Sequence, residues 1–304
     1  GTLWVKEESS LECNGDIVTA GAVTNSGSIV IGGDGKISSA LTGGTFTAKG
    51  DIEASADFSP DELVFNAALG QRYYSPGKTQ TKVLTINNTS LEGFNAASVI
   101  YVSEEFKNNC KKLVNGQNII VSGKADSEIN GDLSVEGEYT VEAGKTQTVF
   151  GSLKVKSGTV ITVEQGAVLE IKRMAVSASS TFNIEDGGTL IINDYLDSSA
   201  DTFNVNGKMK IKGDSKMSQA VVKADGEIVF LGDLNVSAGT WNNPNISFCG
   251  KLPQTVSGSQ INVGNLTLDN PSKKGITFNS KVNYYGLLLK NATVINESNL
   301  TNKS

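Results

Sequence analysis

The sequence predicts an all-β fold, a right-handed parallel β-helix (β-solenoid) with coils of about 20 residues. Three observations predict this fold. Glycine is frequent, at 33 of 304 residues, and proline is rare, at 5, which indicates many tight turns between short strands. Val, Ile, Leu and Thr dominate the segments between glycines, and these residues favour strands. A glycine followed by alternating apolar and polar residues recurs about every 20 residues. The handedness is expected because crossovers between parallel strands are almost always right-handed.

Copies of this pattern begin at Gly15, Gly27, Gly35, Gly50, Gly131, Gly151, Gly166, Gly188, Gly207 and Gly226. The last three glycines are 19 residues apart. We expect the glycines to turn the chain sharply with positive φ. Stacked coils would then bury rows of inward apolar residues, namely Leu133, Val135, Leu153, Val155, Leu190, Ile192, Met209 and Ile211. The segments 181–184 and 202–205 both read Thr-Phe-Asn followed by Ile or Val, so we expect Asn183 and Asn204 to form an internal amide ladder along the solenoid axis.

Residues 103–113 interrupt the alternation. Ser103 is a suitable N-cap, Glu104 and Glu105 follow it, and Phe106, Cys110 and Leu113 share one helical face. We therefore expect a short helix there, packed on the solenoid.

Two halves are expected in one continuous solenoid: residues 1–125, irregular over 57–125, and residues 126–304. Antiparallel β-sandwich domains are the alternative fold, because stretches such as 27–35 fit the closer turn spacing of sandwiches.

A longer repeat links the two halves. The first block contains Gly50-Asp51-Ile52, Phe58, Phe65, Gln71 and residues 84–88, followed by Phe94. The second contains Gly232-Asp233-Leu234, Trp241, Phe248, Gln254 and residues 266–270, followed by Phe278. The order and spacing of these residues predict one module written twice.

The second block also resembles a known protein family. The residues that carry the resemblance are Asn245-Ile246-Ser247-Phe248-Cys249-Gly250, Gln254-Thr255-Val256-Ser257-Gly258, Asn265-Leu266-Thr267-Leu268-Asp269-Asn270, Val282 and Gly286-Leu287-Leu288-Leu289. This order is similar to the repeats of large adhesin-like β-helical proteins on the cell surface of Bacteroidetes, over about residues 232–290 and more weakly 50–100. Cys249 departs from the small or polar residue usual there. The resemblance implies a secreted or outer-surface location, with a leader removed before Gly1, and it carries no catalytic residues.

Composition excludes several chemistries. The chain has no histidine, which removes Ser-His-Asp and Cys-His catalysis. A net charge of −6 without a basic face argues against nucleic-acid binding. Cys13, Cys110 and Cys249 are too far apart in sequence for a zinc knuckle or a redox motif. No apolar stretch approaches the ~20 residues that span a bilayer.

Few residues remain as ligand candidates. Exposed rings would stack on sugars, and the candidates are Tyr73, Tyr74, Trp241, Tyr284 and Tyr285. Neighbouring tyrosines in a strand point to opposite faces, so each pair offers at most one outward ring. A row of Asp16, Asp51, Asp132 and Asp233 would suit calcium, but these residues do not fall in consecutive coils, and hydrogen bonds within turns explain them better. The chain has two arginines, Arg72 and Arg173, and we expect neither to lie beside an acidic cluster.

These observations predict a non-catalytic, adhesin-like structural module of the cell surface, without cofactor, that binds extracellular glycan or protein. One alternative is a carbohydrate-active β-helix enzyme, a polysaccharide lyase or glycosidase. Another is a polymer-forming scaffold like the bactofilins. The sequence predicts neither the ligand nor the oligomeric state.

Overall fold

The computed structural model describes residues 1–55, 57–110, 112–115, 118–121, 127–129, 132–135, 137–176, 179–199 and 201–303. It divides into two compact units: Gly1–Ser134 with Val149–Gly151 (unit 1), and Val135–Thr148 with Ser152–Ser304 (unit 2). The pairings between described strands are parallel in both units, which confirms the all-β parallel β-helix rather than antiparallel sandwiches. Handedness stays a prediction. The half boundary predicted at 125/126, and the repeat glycine Gly131, lie outside the described residues.

Unit 1 contains short strands throughout. In chain order they are β1 (Leu3–Val5), β2 (Ser10–Cys13), β3 (Ile17–Thr19), β4 (Val23–Asn25), β5 (Ser28–Ile31), β6 (Gly35–Ile37), β7 (Leu41–Thr42), β8 (Thr45–Ala48), β9 (Ile52–Ala54), β10 (Phe58–Ser59), β11 (Glu62–Phe65), β12 (Gln71–Tyr74), β13 (Thr79–Ile86), β14 (Phe94–Ala96), β15 (Ile100–Asn108), β16 (Leu113–Val114), β17 (Ile119–Val121), β18 (Ser127–Ile129) and β19 (Leu133–Val135).

These strands stack into three parallel faces. β1, β4, β7, β10 and the first parts of β13 and β15 form one face. β2, β5, β8, β11 and the second parts of β13 and β15 form another. β3, β6, β9, β12, β14 and β16 form the third, a separate six-stranded sheet. Alternate residues point inward, so successive coils bury a continuous row at Ile29, Phe46, Leu63, Leu84 and Phe106.

Unit 2 repeats this architecture with longer strands. They are β20 (Glu138–Val141), β21 (Thr146–Val155), β22 (Val160–Val163), β23 (Val168–Val176), β24 (Thr181–Ile184), β25 (Thr189–Ser199), β26 (Thr202–Val205), β27 (Lys208–Ile211), β28 (Asp214–Ala224), β29 (Glu227–Phe230), β30 (Leu234–Asn242), β31 (Asn245–Phe248), β32 (Gln254–Gly258), β33 (Ile261–Leu268), β34 (Ile276–Phe278), β35 (Val282–Leu289), β36 (Val294–Ile295), a 3₁₀ turn Glu297–Asn299, and β37 (Leu300–Asn302).

The predicted period is confirmed in unit 2. Thr189, Lys208 and Glu227 pair in successive strands, which matches the glycine spacing. The predicted inward residues are all buried: Leu133, Val135, Leu153, Val155, Leu190, Ile192, Met209 and Ile211. Phe182 stacks on Phe203 with ring centroids 4.9 Å apart. Beside them Asn204 Nδ2 donates to Asn183 Oδ1 at 2.9 Å, so the predicted hydrogen bond is confirmed, but the two amides lie on a half-buried outward row rather than inside the solenoid.

The helix predicted over 103–113 is wrong. Residues 100–108 form β15, and Phe106 is buried against Leu84 of β13. A register shift between Val102 and Glu105 gives β15 one more residue than its partner, which is a β-bulge. The bulge hides the alternation of period two in the sequence. Lys111 lies outside the described residues, and Leu113 begins β16.

Positive φ explains the repeat glycines only in part. Gly166 has φ of +71°, as expected, but Gly188, Gly207 and Gly226 do not have positive φ. A Cβ on Gly207 would instead lie 2.2 Å from the carbonyl oxygens of Glu185 and Gly188 in the preceding coil. Glycine is required there because two backbones approach each other, not because of a left-handed turn.

The duplicated block is visible in hydrogen bonds as well as in sequence. The amide Nε2 of Gln71 donates to Ala48 O and Gly50 O, and that of Gln254 donates to Phe230 O and Gly232 O. A second equivalent pair closes the next coil, because Asn88 donates to Leu69 O and Asn270 to Leu252 O, each at 2.8 Å. The two blocks therefore share side-chain functions at an offset of 182 or 183 residues, which supports one module written twice.

One residue of the predicted alignment is corrected. Gln71 pairs with Phe94 and Gln254 pairs with Ile276, so the counterpart of Phe94 is Ile276 rather than Phe278. In the neighbouring pair the larger residue lies on the first strand in unit 1, where Tyr73 pairs with Ala96. In unit 2 it lies on the second strand, where Val256 pairs with Phe278. Cores tolerate such exchanges because the total volume is conserved.

Asp201 is a buried carboxylate at a corner of unit 2. Its oxygens accept hydrogen bonds from Ser198 Oγ at 2.7 Å and from the backbone N–H groups of Ser180 and Ser199 at 3.0 and 3.1 Å. Burial nevertheless raises the pKa of Asp201 above its ordinary value of 3.8. The folded state therefore binds this proton more tightly than the unfolded chain does.

We expect the stabilisation by Asp201 to be complete below pH 3.8 and to decline as the pH rises through the raised pKa. Asp201→Ser, which copies Ser180 of the preceding coil, removes this titration. The loss of unfolding free energy caused by D201S should thus be largest in acid and smaller at neutral pH. Urea unfolding of both proteins across this range measures it, and a loss that grows with pH would contradict the assignment.

Candidate functional site

The five rings predicted to stack on a ligand fall into two groups. Tyr73 is fully buried and Trp241 is 5% exposed, so neither ring can meet a ligand, and the stacking role predicted for them is corrected. Tyr74 is 38% and Tyr285 52% exposed, and Tyr284 is half-buried. Only the rings of the second group remain available at the surface.

The two core rings are packing residues. The hydroxyl of Tyr73 hydrogen-bonds Thr79 Oγ1, and burial raises the pKa of Tyr73 to about 12. The indole Nε1 of Trp241 is buried and donates to no described residue. Tyr73 and Tyr74 point to opposite sides of β12, as expected for neighbours in a strand.

Tyr74 lies on the outer surface of β3, β6, β9 and β12, which we call the aspartate face. Two columns of side chains cross these strands, because residues i and i+2 of each strand share its outer side. The first column consists of Asp16, Asp34 and Asp51, each of which directly precedes its strand, and of Arg72; the second column consists of Val18, Lys36, Glu53 and Tyr74.

The aspartates are held by the backbone of the following coil. Asp16 Oδ1 accepts the N–H of Asp34 and Asp34 Oδ1 accepts the N–H of Asp51, both at 2.8 Å. Asp51 Oδ1 then accepts the N–H of Arg72 at 2.7 Å. The expected hydrogen bonds within single turns are thus corrected to bonds between coils. Three consecutive coils do carry aspartate at this position, because Asp34 completes the row between Asp16 and Asp51.

The expectation that no arginine lies beside an acidic cluster is wrong for Arg72. Its backbone binds Asp51, and its guanidinium carbon lies 5.2 Å from the centroid of the Tyr74 ring. This distance is within the range of a cation–π contact. In the second column Lys36 Nζ lies 3.6 Å from Glu53 Oε1. Arg173 also meets a carboxylate, with Nε 2.7 Å from Asp194 Oδ2.

These side chains line an open groove of about 340 Å³. We call it the aspartate groove, and its polar lining consists of Asp16, Asp34, Asp51, Lys36, Glu53 and Arg72, with Tyr74 at one end. Oδ1 of Asp16, Asp34 and Asp51 each accepts a backbone hydrogen bond, which fixes the carboxylates in place. The guanidinium of Arg72 lies over the Tyr74 ring. The groove therefore offers pre-positioned acceptors, two cations and an aromatic surface.

Unit 2 contains the same ladder without the same groove chemistry. Asp214 Oδ1 accepts the N–H of Asp233 at 2.9 Å, and Asp233 Oδ1 accepts the N–H of Thr255 at 2.7 Å. Thr255 thus takes the place of Arg72, and Ser257, two residues later, that of Tyr74. The aspartate ladder joins coils in both units, whereas the arginine and tyrosine distinguish unit 1.

Metal binding receives no geometric support. Among the described residues no group of three or more His, Cys, Asp or Glu side chains is arranged to hold a metal ion. Cys13, Cys110 and Cys249 are free thiols, and burial raises the pKa of the last two. In the described part of the chain, no helix has the length and apolar character needed to cross a membrane.

Comparisons with family models, with curated proteins and with solved structures found no match to this chain.

Proposed function

We propose that this chain is a non-catalytic, adhesin-like module of the cell surface that binds glycan through the aspartate groove. The observation that carries the proposal is the Arg72–Tyr74 pair at the end of a row of fixed carboxylates. Proteins bind sugars with carboxylates that accept hydrogen bonds from the sugar hydroxyl groups and with aromatic rings that pack against the apolar face of the sugar. The surface location is supported by the resemblance of residues 232–290 to adhesin-like repeats.

Rigidity supports a binding role. Each strand of the aspartate face is hydrogen-bonded to the strands of the neighbouring coils, and the aspartate side chains add bonds between coils. Groups that are already ordered lose little conformational entropy when a ligand binds. A groove lined by a repeated arrangement of side chains suits a repetitive ligand.

Tyr74→Ala is expected to weaken glycan binding by about tenfold, which corresponds to about 1.4 kcal/mol of lost contact. Isothermal titration calorimetry against the polysaccharides that the full chain binds measures the change. Tyr101→Ala is the matched control, because Tyr101 is 44% exposed in the same unit but lies outside the groove. Equal losses in Y74A and Y101A would remove the groove from the binding surface.

A carbohydrate-active enzyme is the second candidate, favoured by one observation. Arg72 lies in one groove with Asp34, Asp51 and Glu53, and carboxylates with a nearby cation are the groups that lyases and glycosidases use. Sustained release of reducing ends or unsaturated sugars from bound polysaccharide, abolished by Asp34→Asn, would establish it. Binding without turnover supports the non-catalytic role.

A further inference from the structure

The charges of the aspartate groove restrict which glycan fits, if the proposed function holds. We propose that the ligand is an uncharged oligosaccharide whose hydroxyl groups donate to the aspartate row and whose terminal ring packs against Tyr74. The inference rests on the acceptors, the charges and the length of the groove.

The aspartate row can only accept hydrogen bonds. Oδ1 of Asp16, Asp34 and Asp51 is already engaged by a backbone N–H, which fixes the orientation of each carboxylate. An ionised carboxylate has further lone pairs on its second oxygen but no proton to donate. The ligand must therefore supply donors at regular intervals, as the hydroxyl groups of a sugar chain do.

The charges disfavour an acidic polymer. Asp16, Asp34, Asp51 and Glu53 outnumber Lys36 and Arg72 in the groove lining. Lys36 is paired with Glu53, and Arg72 lies over the Tyr74 ring. A polyuronate would bring further carboxylates against the aspartate row, and such like-charge contacts are unfavourable.

Arg72 opposes an amine-bearing polymer at the Tyr74 end, although the excess of carboxylates attracts one elsewhere in the groove. A polyglucosamine would match the aspartate row, but its ammonium groups would meet Arg72 at the ring where the sugar packs. Any ligand with one sign of charge along its length therefore meets repulsion in one part of the groove. An uncharged sugar chain meets repulsion in neither part.

The groove is longer than one sugar. It crosses four neighbouring strands, β3, β6, β9 and β12, which are about 4.8 Å apart, so the aspartate row and Arg72 span about 14 Å. This length suits an oligosaccharide that lies across the strands. Longer oligomers of the same sugar should bind more tightly than the monosaccharide.

The experiment measures binding of the chain by affinity electrophoresis and calorimetry. The ligands are uncharged glucan, mannan and galactan, together with polygalacturonate and soluble polyglucosamine. We expect an uncharged polymer to bind best, with less than about a twofold change between low and high salt, because no ion pair with the ligand is screened. The double variant R72T/Y74S, which copies Thr255 and Ser257 of unit 2, should bind it about tenfold more weakly.

The outcomes separate the two proposals. Tighter binding of polygalacturonate or polyglucosamine, weakened by salt and by R72T/Y74S, overturns the uncharged ligand and keeps glycan binding in the groove. A monosaccharide that binds as tightly as its oligomers overturns the extended mode. No binding of any polymer, or full binding by R72T/Y74S with unchanged unfolding, overturns the proposed function itself.

Discussion

Gln254→Ala is expected to destabilise unit 2 by about 3 kcal/mol or more, because four hydrogen bonds of one buried side chain are lost together. Gln254 Nε2 donates to Phe230 O at 3.0 Å and to Gly232 O at 2.9 Å. Its Oε1 accepts from Gly250 N at 2.8 Å and from Asn270 Nδ2 at 2.9 Å. The truncation removes these four hydrogen bonds and opens a cavity, and both effects destabilise the fold.

Gln71→Ala is the matched control, since Gln71 holds the equivalent place in unit 1. Its Nε2 makes the same two bonds, at 3.0 and 2.7 Å, but its Oε1 is buried and accepts from no described residue. We expect Q71A to lose about 2 kcal/mol, clearly less than Q254A. Urea unfolding followed by circular dichroism and by the fluorescence of buried Trp241 measures both. Equal losses of unfolding free energy would mean that the two hydrogen bonds accepted by Gln254 Oε1 do not contribute to stability.

The period could be predicted from the sequence because similar segments recur at a regular spacing, and the core because inward residues alternate along each strand. Phe182 and Phe203, 21 residues apart, fall in register because two coils of the same length carry the same segment. The prediction that Tyr73 and Trp241 stack on a ligand was wrong because the sequence did not show which side of the strand each ring faces. Tyr73 and Tyr74 are adjacent and identical in type, and the pairing with the preceding coil distinguishes them: Tyr73 pairs with the buried Ile52 and Tyr74 with Glu53.

The aspartate groove was missed for a different reason. Asp34 follows Gly33 as Asp16 follows Gly15 and Asp51 follows Gly50, but the repeat copy was predicted to begin at Gly35, which pairs with Ile17 and Ile52. The spacing of Asp34 from Asp16 and Asp51, 18 and 17 residues, is the signal that would have placed it in the row. Arg72 was missed because its neighbour Asp51 is 21 residues away in sequence. The β-bulge in β15 led to the wrong helix prediction over 103–113 for the same reason, since the register of a strand is set by its partner strand, which is distant in sequence.

The sequence alone also does not show which glycines are required by contact with the neighbouring coil. Gly213 is one such glycine, and its requirement can be measured. A Cβ built on Gly213 would lie 1.5 Å from the carbonyl oxygen of Asp194 and 2.5 Å from its carbonyl carbon. Both are backbone atoms of the preceding coil, where Tyr195 pairs with Asp214. No side-chain rotation relieves the overlap, so the two strands must separate and lose ladder hydrogen bonds.

We therefore expect Gly213→Ala to destabilise unit 2 by about 3 kcal/mol or more, or to prevent its folding. Gly15→Ala is the control, because no described atom lies within 4 Å of a Cβ there and its φ is not positive. Its unfolding free energy should stay within about 0.5 kcal/mol of the parent chain. Circular dichroism melts of the two variants decide the matter. If G213A melts with the parent, backbone contact between coils is not what requires glycine, and the tight stacking inferred for this corner is wrong.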